Sequence, residues 1–165
     1  MILRIIFSLL IFFSLTNYSY SASSSSSSSS DGGSKSNYDK ATNLIKAAKK
    51  YESKGKNEKA KKRYERALKL LIKSNKEKPN QADTLNYLGF ATRKLGNYEE
   101  GEKYYLLGLK IEPDHKGINE YLGELYVVTN RIELAKQRLD VLKNCNCEEY
   151  QELKDIIDGT KKSKY

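Results

Sequence analysis

Residues 84–114 read TLNYLGFATRKLGNYEEGEKYYLLGLKIEPD, with two apolar, helix-like stretches on either side of a Leu-Gly-Asn turn. Within this segment, Leu88-Gly89 is repeated as Leu122-Gly123, 34 residues later. A fixed period of this length indicates a helix-turn-helix unit that stacks on copies of itself. The segment therefore predicts an all-α solenoid of stacked helix pairs.

Small residues recur in three successive units where two helices must approach closely. In the first helix of each unit they are Ala48, Gly89 and Gly123, and in the second helix Ala60, Gly101 and Ala135. A large residue follows four positions after each second-helix site: Tyr64, Tyr105 and Leu139. The turns between the helices carry residues that tolerate a left-handed backbone: Gly55, Gly96 and Asn130.

The middle unit carries the residues typical of a tetratricopeptide repeat (TPR): Leu85, Leu88, Gly89, Gly96, Tyr98, Tyr105, Leu109 and Pro113. The segments 113–126 and 147–150 resemble those of small exported bacterial TPR proteins. The resemblance covers most of residues 41–158. It implies three repeats, at about 41–80, 82–115 and 116–147, and a scaffold that holds a protein partner.

The first repeat is longer than the others. Ala48 and Gly89 are 41 residues apart, which exceeds the period by seven residues, or about two helical turns. The stretch 57–76 has no helix breaker, so we expect its second helix to be extended by two turns. After the third repeat, residues 148–158 predict a capping helix that covers the open end.

The N-terminal segment predicts export. Arg4, an apolar run at 5–15 and small residues at 19 and 21 are typical of a signal peptide over residues 1–21, although an uncleaved inner-membrane anchor is the alternative. Residues 22–37 are Ser-rich and predict a disordered linker. The TPR domain is expected over residues 38–160 with a basic tail at 159–165, and the periplasm is the expected location.

Charge is concentrated in the first repeat. Residues 35–81 hold 16 basic and 5 acidic side chains, whereas residues 82–165 hold 13 basic and 15 acidic ones. This favours an anionic neighbour such as an acidic protein or an envelope surface, and the expected compartment argues against nucleic acid. The alternative is that the lysines only reflect the composition of an AT-rich genome.

The sequence offers little catalytic chemistry. One histidine and two cysteines cannot build a hydrolase triad or a four-ligand zinc site, and no phosphate-binding glycine loop is present. We therefore expect a protein that is not an enzyme and needs no cofactor. His115, Glu120 and Glu124 form a weak metal candidate, whose alternatives are a solvated acidic patch and a histidine that caps a turn.

Cys145 and Cys147 are the only cysteines. In an oxidising compartment they predict a disulfide, with free thiols or a redox or soft-metal role as alternatives. A metal- or redox-responsive binding protein is accordingly the second functional hypothesis, after the interaction scaffold.

The inward positions of the first helices are the expected contact surface for a partner peptide. They are Lys49, Asn86, Phe90, Arg93, Lys94, Glu120 and Glu124. Basic and amide groups around Phe90 suit an extended acidic peptide or a carboxylate. The Lys-Asn-Asn-Lys-Arg clamp of chaperone-binding TPR domains is not reproduced, and a solvated groove with binding elsewhere is the alternative.

Overall fold

The computed structural model describes residues 35–163, which form seven α-helices and no strand. The helices are α1 (Asn37–Glu52), α2 (Asn57–Glu77), α3 (Ala82–Lys94), α4 (Tyr98–Ile111), α5 (Lys116–Val128), α6 (Ile132–Leu142) and α7 (Glu148–Ile157). None of these helices is long and apolar enough to span a bilayer. The predicted signal peptide and most of the predicted linker lie outside the described residues.

The helices pack as consecutive pairs, α1 with α2, α3 with α4 and α5 with α6. Each second helix also contacts the first helix of the next pair, and α3 contacts both α1 and α5, so that the three first helices form a common layer. Helix α7 packs on α5 and α6 at the end of the stack. The predicted all-α solenoid is confirmed.

The three predicted turn residues have a left-handed backbone. The φ angles are +67° at Gly55, +89° at Gly96 and +59° at Asn130. Glycine and asparagine adopt this conformation at the least steric cost. Each turn therefore reverses the chain at the position predicted from the repeat.

The first helix begins earlier than the Ser-rich composition suggested. Ser36 is the N-cap of α1, and its side chain and that of Asp39 form a reciprocal capping box. This arrangement satisfies two backbone N–H groups that the helix start would otherwise leave without partners. Asn37 already belongs to the helix, one residue before the predicted start of the TPR domain at residue 38.

Helix α2 has 21 residues and α4 has 14, so the extension predicted for the first repeat is present. Helix α2 ends at Glu77, just before Lys78-Pro79, because proline disfavours a helical backbone in the residue that precedes it. The extra turns bury Leu71 and Ser74. The seven additional residues are thus accommodated within one helix.

The small residues lie where two helices approach closely, and the large residue predicted for the third unit needs a correction. A Cβ built on Gly89 would lie 2.5 Å from Cε1 of Tyr105, and one on Gly123 would lie 2.5 Å from Cδ2 of Leu153. The sequence predicted Leu139 as the large residue of the third unit. Leu139 is only half-buried, and Leu153 of α7 packs against Gly123 instead.

Candidate functional site

Helices α1, α3 and α5 enclose a cavity of about 550 Å³, which we call the groove. Five predicted residues line it: Lys49, Phe90, Lys94, Glu120 and Glu124. The sequence did not predict four further lining residues: Glu52, Ser53, Asn57 and Tyr121. Tyr121 had a usable signal, because Tyr87 occupies the equivalent position one repeat earlier.

The floor of the groove is aromatic and carries a cation. The rings of Phe90 and Tyr121 lie 5.0 Å apart between centroids. The Lys49 ammonium lies 4.5 Å from the Phe90 centroid, and its Nζ donates to the Tyr121 hydroxyl at 3.2 Å. A cation above an aromatic face is attracted by the ring quadrupole. Lys49 therefore presents its charge next to an apolar surface.

A second lysine is held at the wall of the groove. The Nζ of Lys94 lies 2.7 Å from Oε1 of Glu52, and the Lys94 side chain is almost fully buried. The Tyr64 hydroxyl donates to the other Glu52 oxygen at 2.8 Å, and burial together with this bond raises the pKa of Tyr64. Lys94 and Glu52 thus form a fixed polar pair that joins α1 to α3.

Arg93 does not face the groove, contrary to the sequence prediction. Its side chain is fully buried, and its Nη2 lies 3.3 Å from Oε2 of Glu124. Its Nη1 donates to the backbone carbonyl of Tyr121. A helical face defined by sequence spacing is wide, and Arg93 lies on the edge that packs against α5. Arg93 therefore holds α3 to α5 and does not line the groove.

The Glu120 carboxyl group at the groove has a raised pKa. Burial raises its pKa to about 8, with a further increase from Glu124 and Glu149 that the charge of Lys49 only partly offsets. Desolvation and neighbouring negative charge both disfavour an ionised carboxylate. The Glu120 carboxyl group therefore titrates near pH 8.

Asn86 lies in a second cavity next to the groove, which we call the acidic pocket. Its volume is about 460 Å³, and it shares Glu120 and Tyr121 with the groove. The other lining residues come from α1, α3, the α4–α5 loop, α5 and α7: Tyr38, Asp83, Asn86, Tyr87, Glu112, Asp114, His115, Lys116, Gly117 and Glu149. Of the predicted inward residues, Asn86 lines only the acidic pocket, Glu120 lines both cavities and Arg93 lines neither.

His115 caps a helix. Its Nδ1 accepts a hydrogen bond from the backbone N–H of Ile118, and its Nε2 lies 3.2 Å from Oδ1 of Asp83. An accepting Nδ1 is unprotonated, which makes Nε2 the donor in the neutral ring. Both ring nitrogens are thus engaged. Over residues 35–163, no three His, Cys, Asp or Glu side chains are placed to hold a metal ion together.

Cys145 and Cys147 form a disulfide, with their Cα atoms 5.2 Å apart. The bond lies between the end of α6 and the start of α7, and Cys147 is the N-cap residue of α7. Asn146, between the two cysteines, has a φ of +45°. The disulfide therefore closes the tight turn that leads into the capping helix.

The predicted basic tail begins with contacts to the domain. Lys161 forms an ion pair with Glu152 of α7. The Ser163 hydroxyl lies 3.4 Å from Oε2 of Glu124, which lines the groove. The last described residue of the chain is therefore close to the groove.

Comparison with known proteins identifies the class of fold. Residues 82–115 match the family described as Tetratricopeptide repeat. The first TPR of Spaghetti (RPAP3), solved with the HSP90 peptide SRMEEVD, is 21% identical, with a TM-score of 0.53 over 78% of this chain and 98% of that chain. The first TPR domain of human RPAP3, solved by NMR, is 20% identical, with a TM-score of 0.54 over 73% of this chain and 92% of that chain.

These similarities show a TPR-type helical solenoid. At this level of identity the two solved structures establish the fold alone. No curated protein sequence matches the chain significantly. The groove and the acidic pocket are therefore the candidate sites of function.

Proposed function

We propose that this protein is a non-enzymatic interaction scaffold that binds a partner peptide in the groove. The observation that carries the proposal is the Lys49–Phe90–Tyr121 arrangement, which places a cation over an aromatic floor in a cavity of about 550 Å³. An apolar surface supplies binding energy, and a few placed polar groups orient the ligand. An extended peptide with an apolar side chain beside a carboxylate fits this combination.

One solved neighbour supports a peptide partner. The RPAP3 domain with a TM-score of 0.53 was solved bound to the acidic peptide SRMEEVD. Lys49 of this chain supplies a cation suited to an acidic peptide, although the groove also contains Glu52, Glu120 and Glu124. We infer that the ligand is acidic at the Lys49 end only.

A peptide-display selection on the purified full chain tests this proposal. The selected peptides are then measured by fluorescence anisotropy against Lys49→Glu and against Lys50→Glu, an exposed neighbour of equal charge that does not line the groove. We expect Lys49→Glu to weaken binding about tenfold, which corresponds to about 1.4 kcal/mol. Equal affinities of the two variants would reject the groove as the peptide site.

We further propose that the scaffold works in the bacterial envelope after export. The signal-like residues 1–21 support this location, and so does the Cys145–Cys147 disulfide, since such bonds persist mainly in oxidising compartments. Expression of the full chain in a Gram-negative host, followed by fractionation and N-terminal sequencing, tests it. A cytoplasmic protein with its first residues intact would contradict the proposal.

A second candidate function is attachment to an anionic envelope surface. A cavity of about 380 Å³ on the first repeat is lined by Tyr51, Lys59, Lys62, Arg63 and Arg66. The Arg63 guanidinium lies 6.0 Å from the Tyr51 ring centroid. Such basic clusters attract anionic lipids in a salt-dependent manner. Co-sedimentation with phosphatidylglycerol vesicles should fall when Lys59, Lys62 and Arg66 are changed to glutamine. Equal binding to neutral vesicles would contradict this function.

A further inference from the structure

The chain turns sharply after α7. Gly159, just past the end of this helix, has a φ of +75°, a left-handed conformation that glycine adopts at little steric cost. The backbone N–H groups of Thr160 and Lys161 then donate to the carbonyl of Asp155, at 3.0 and 3.1 Å. These bonds end the helix and set the direction in which residues 160–163 leave it.

Two side-chain contacts hold the basic tail, residues 159–165, against the domain. Lys161 forms an ion pair with Glu152 of α7, and both side chains are partly buried. The Ser163 hydroxyl oxygen lies 3.4 Å from Oε2 of Glu124 on α5. Because Glu124 also lines the groove, the described part of the tail ends at the groove wall.

The next residues in the sequence have the chemistry to enter the groove. They are Lys164 and Tyr165, which lie outside the described residues. Two residues of extended chain advance up to about 7 Å. Tyr121 and Glu124 are three residues apart on α5, which places their Cβ atoms about 5–6 Å apart. The tail is therefore long enough to reach the aromatic floor of Phe90 and Tyr121, and a tyrosine ring packs well on such a floor.

Tethering makes a weak contact of this kind effective. A segment joined to the domain beside its site has an effective concentration on the order of millimolar. A free peptide must then displace the tail, and its apparent dissociation constant rises in inverse proportion to the fraction of molecules with an open groove. A modest affinity of the tail for the groove is thus enough to weaken a partner.

We propose that the basic tail competes with the partner peptide for the groove and so limits the affinity of the scaffold. This inference rests on the proposed function, because it concerns the regulation of the same groove. The contacts that carry it are Lys161 with Glu152 and Ser163 with Glu124. A partner that fills the groove would displace the tail from Glu124.

Replacement of residues 162–165 by four glycines in the full chain tests the competition. The displayed peptides are measured against this four-glycine variant and the wild type by fluorescence anisotropy. We expect the variant to bind at least threefold more tightly, which corresponds to a tail that covers the groove in about two thirds of wild-type molecules or more. Equal or lower affinity of the variant would overturn the proposal.

Point variants separate the anchoring contact from the charge of the tail. Lys161→Glu places two acidic groups together and should detach the tail, whereas Lys162→Glu makes the same charge change at an exposed neighbour. We expect Lys161→Glu to bind the peptides at least twofold more tightly than Lys162→Glu does. The charge swap Lys161→Glu/Glu152→Lys should restore the wild-type affinity. Equal affinities of Lys161→Glu and Lys162→Glu, or a swap that binds as tightly as Lys161→Glu, would also overturn the proposal.

Amide spectra test the tail without any peptide. The ¹⁵N–¹H spectrum of the wild-type chain is compared with that of the four-glycine variant. We expect the amide signals of Phe90 and Tyr121 to shift, and that of Lys69, exposed on α2, to stay in place. Unchanged signals of Phe90 and Tyr121 would contradict a tail that lies in the groove.

The tail and the peptide site can fail separately in these experiments. Shifts of Phe90 and Tyr121 in the four-glycine variant, together with equal peptide affinities of Lys49→Glu and Lys50→Glu, would reject the peptide site and leave the tail contact standing. Peptide binding that depends on Lys49 but is equally tight in the wild type and the four-glycine variant would reject the competing tail alone.

Discussion

Arg93 and Glu124 form a buried ion pair, 3.3 Å apart, that links the first helix of the second repeat to the first helix of the third. The Arg93 guanidinium also lies 5.9 Å from the Tyr105 ring centroid and 5.8 Å from that of Tyr121. Arg93, which was predicted to contact a ligand, instead holds adjacent repeats together, whereas Glu124 pairs with Arg93 and also lines the groove. Arg93 lies beneath the groove surface and holds Tyr121 in position through its hydrogen bond to the Tyr121 carbonyl.

Breaking this pair should destabilise the domain. Arg93→Met leaves the Glu124 carboxylate in a buried site, and loss of one partner of such a pair costs roughly 3–5 kcal/mol. Glu133→Gln, which breaks the exposed pair with Lys136, should cost less than about 0.5 kcal/mol. Urea unfolding followed by circular dichroism measures both variants. The double variant Arg93→Met/Glu124→Leu should recover at least half of the loss, and additive losses would contradict a direct pairing.

Glu120 should make the protein less stable as pH rises. Its pKa is about 8 in the folded protein against 4.5 as its ordinary value, so between these values the folded state holds a proton that the unfolded state has released. The contribution of Glu120 to the free energy of unfolding therefore decreases as the pH rises from about 4.5 to 8, and it is constant above that range. Glu120→Gln should accordingly stabilise the protein by more than about 1 kcal/mol at pH 9 and have little effect near pH 4.5.

The measurement for Glu120 is urea unfolding of the wild type, Glu120→Gln and Glu133→Gln at pH 4.5, 7 and 9. The control removes an exposed carboxylate and should show no such pH dependence. A stability difference between Glu120→Gln and wild type that does not change with pH would refute the raised pKa.

Gly89 should not tolerate a side chain. The Cβ of Gly89→Ala would overlap the ring of Tyr105, which is fully buried. Overpacking of this kind costs roughly 1–3 kcal/mol. Thermal unfolding should show a clear decrease in Tm, whereas Asn43→Ala on the exposed face of α1 should change it little. An unchanged Tm for Gly89→Ala would contradict the close approach of α3 and α4.

The disulfide should contribute modestly and locally. It closes a loop of only three residues, for which loop-closure entropy gives about 1.5 kcal/mol. The Cys145→Ser/Cys147→Ser variant should lose no more than about 2 kcal/mol, with faster amide exchange confined mainly to α7. Exchange that increases equally in α1 and α7 would argue against a local role for this bond.

The repeat could be recognised from the sequence because its signals are local. The turn residues Gly55, Gly96 and Asn130 need a left-handed backbone whatever surrounds them, and the apolar period of α2 extends through its two additional turns. The start of α1 at Asn37 differs by one residue from the predicted linker boundary, because the capping box of Ser36 and Asp39 lies across that boundary. The small positions at Gly89 and Gly123 were found, but the neighbour of Gly123 was not, since Leu153 comes from another element.

The sequence by itself determined the solenoid, its turns and the inward faces of α1 and α3, which carry Lys49, Phe90 and Lys94. The tertiary structure decided which charges reach a ligand and which lie within the domain. Arg93 and Lys94 are adjacent in the chain, yet one is buried against α5 and the other lines the groove. The physical reason is that helical periodicity fixes the direction in which a side chain leaves the helix axis. The burial and the pKa of a side chain such as Glu120 depend instead on the helices packed around it.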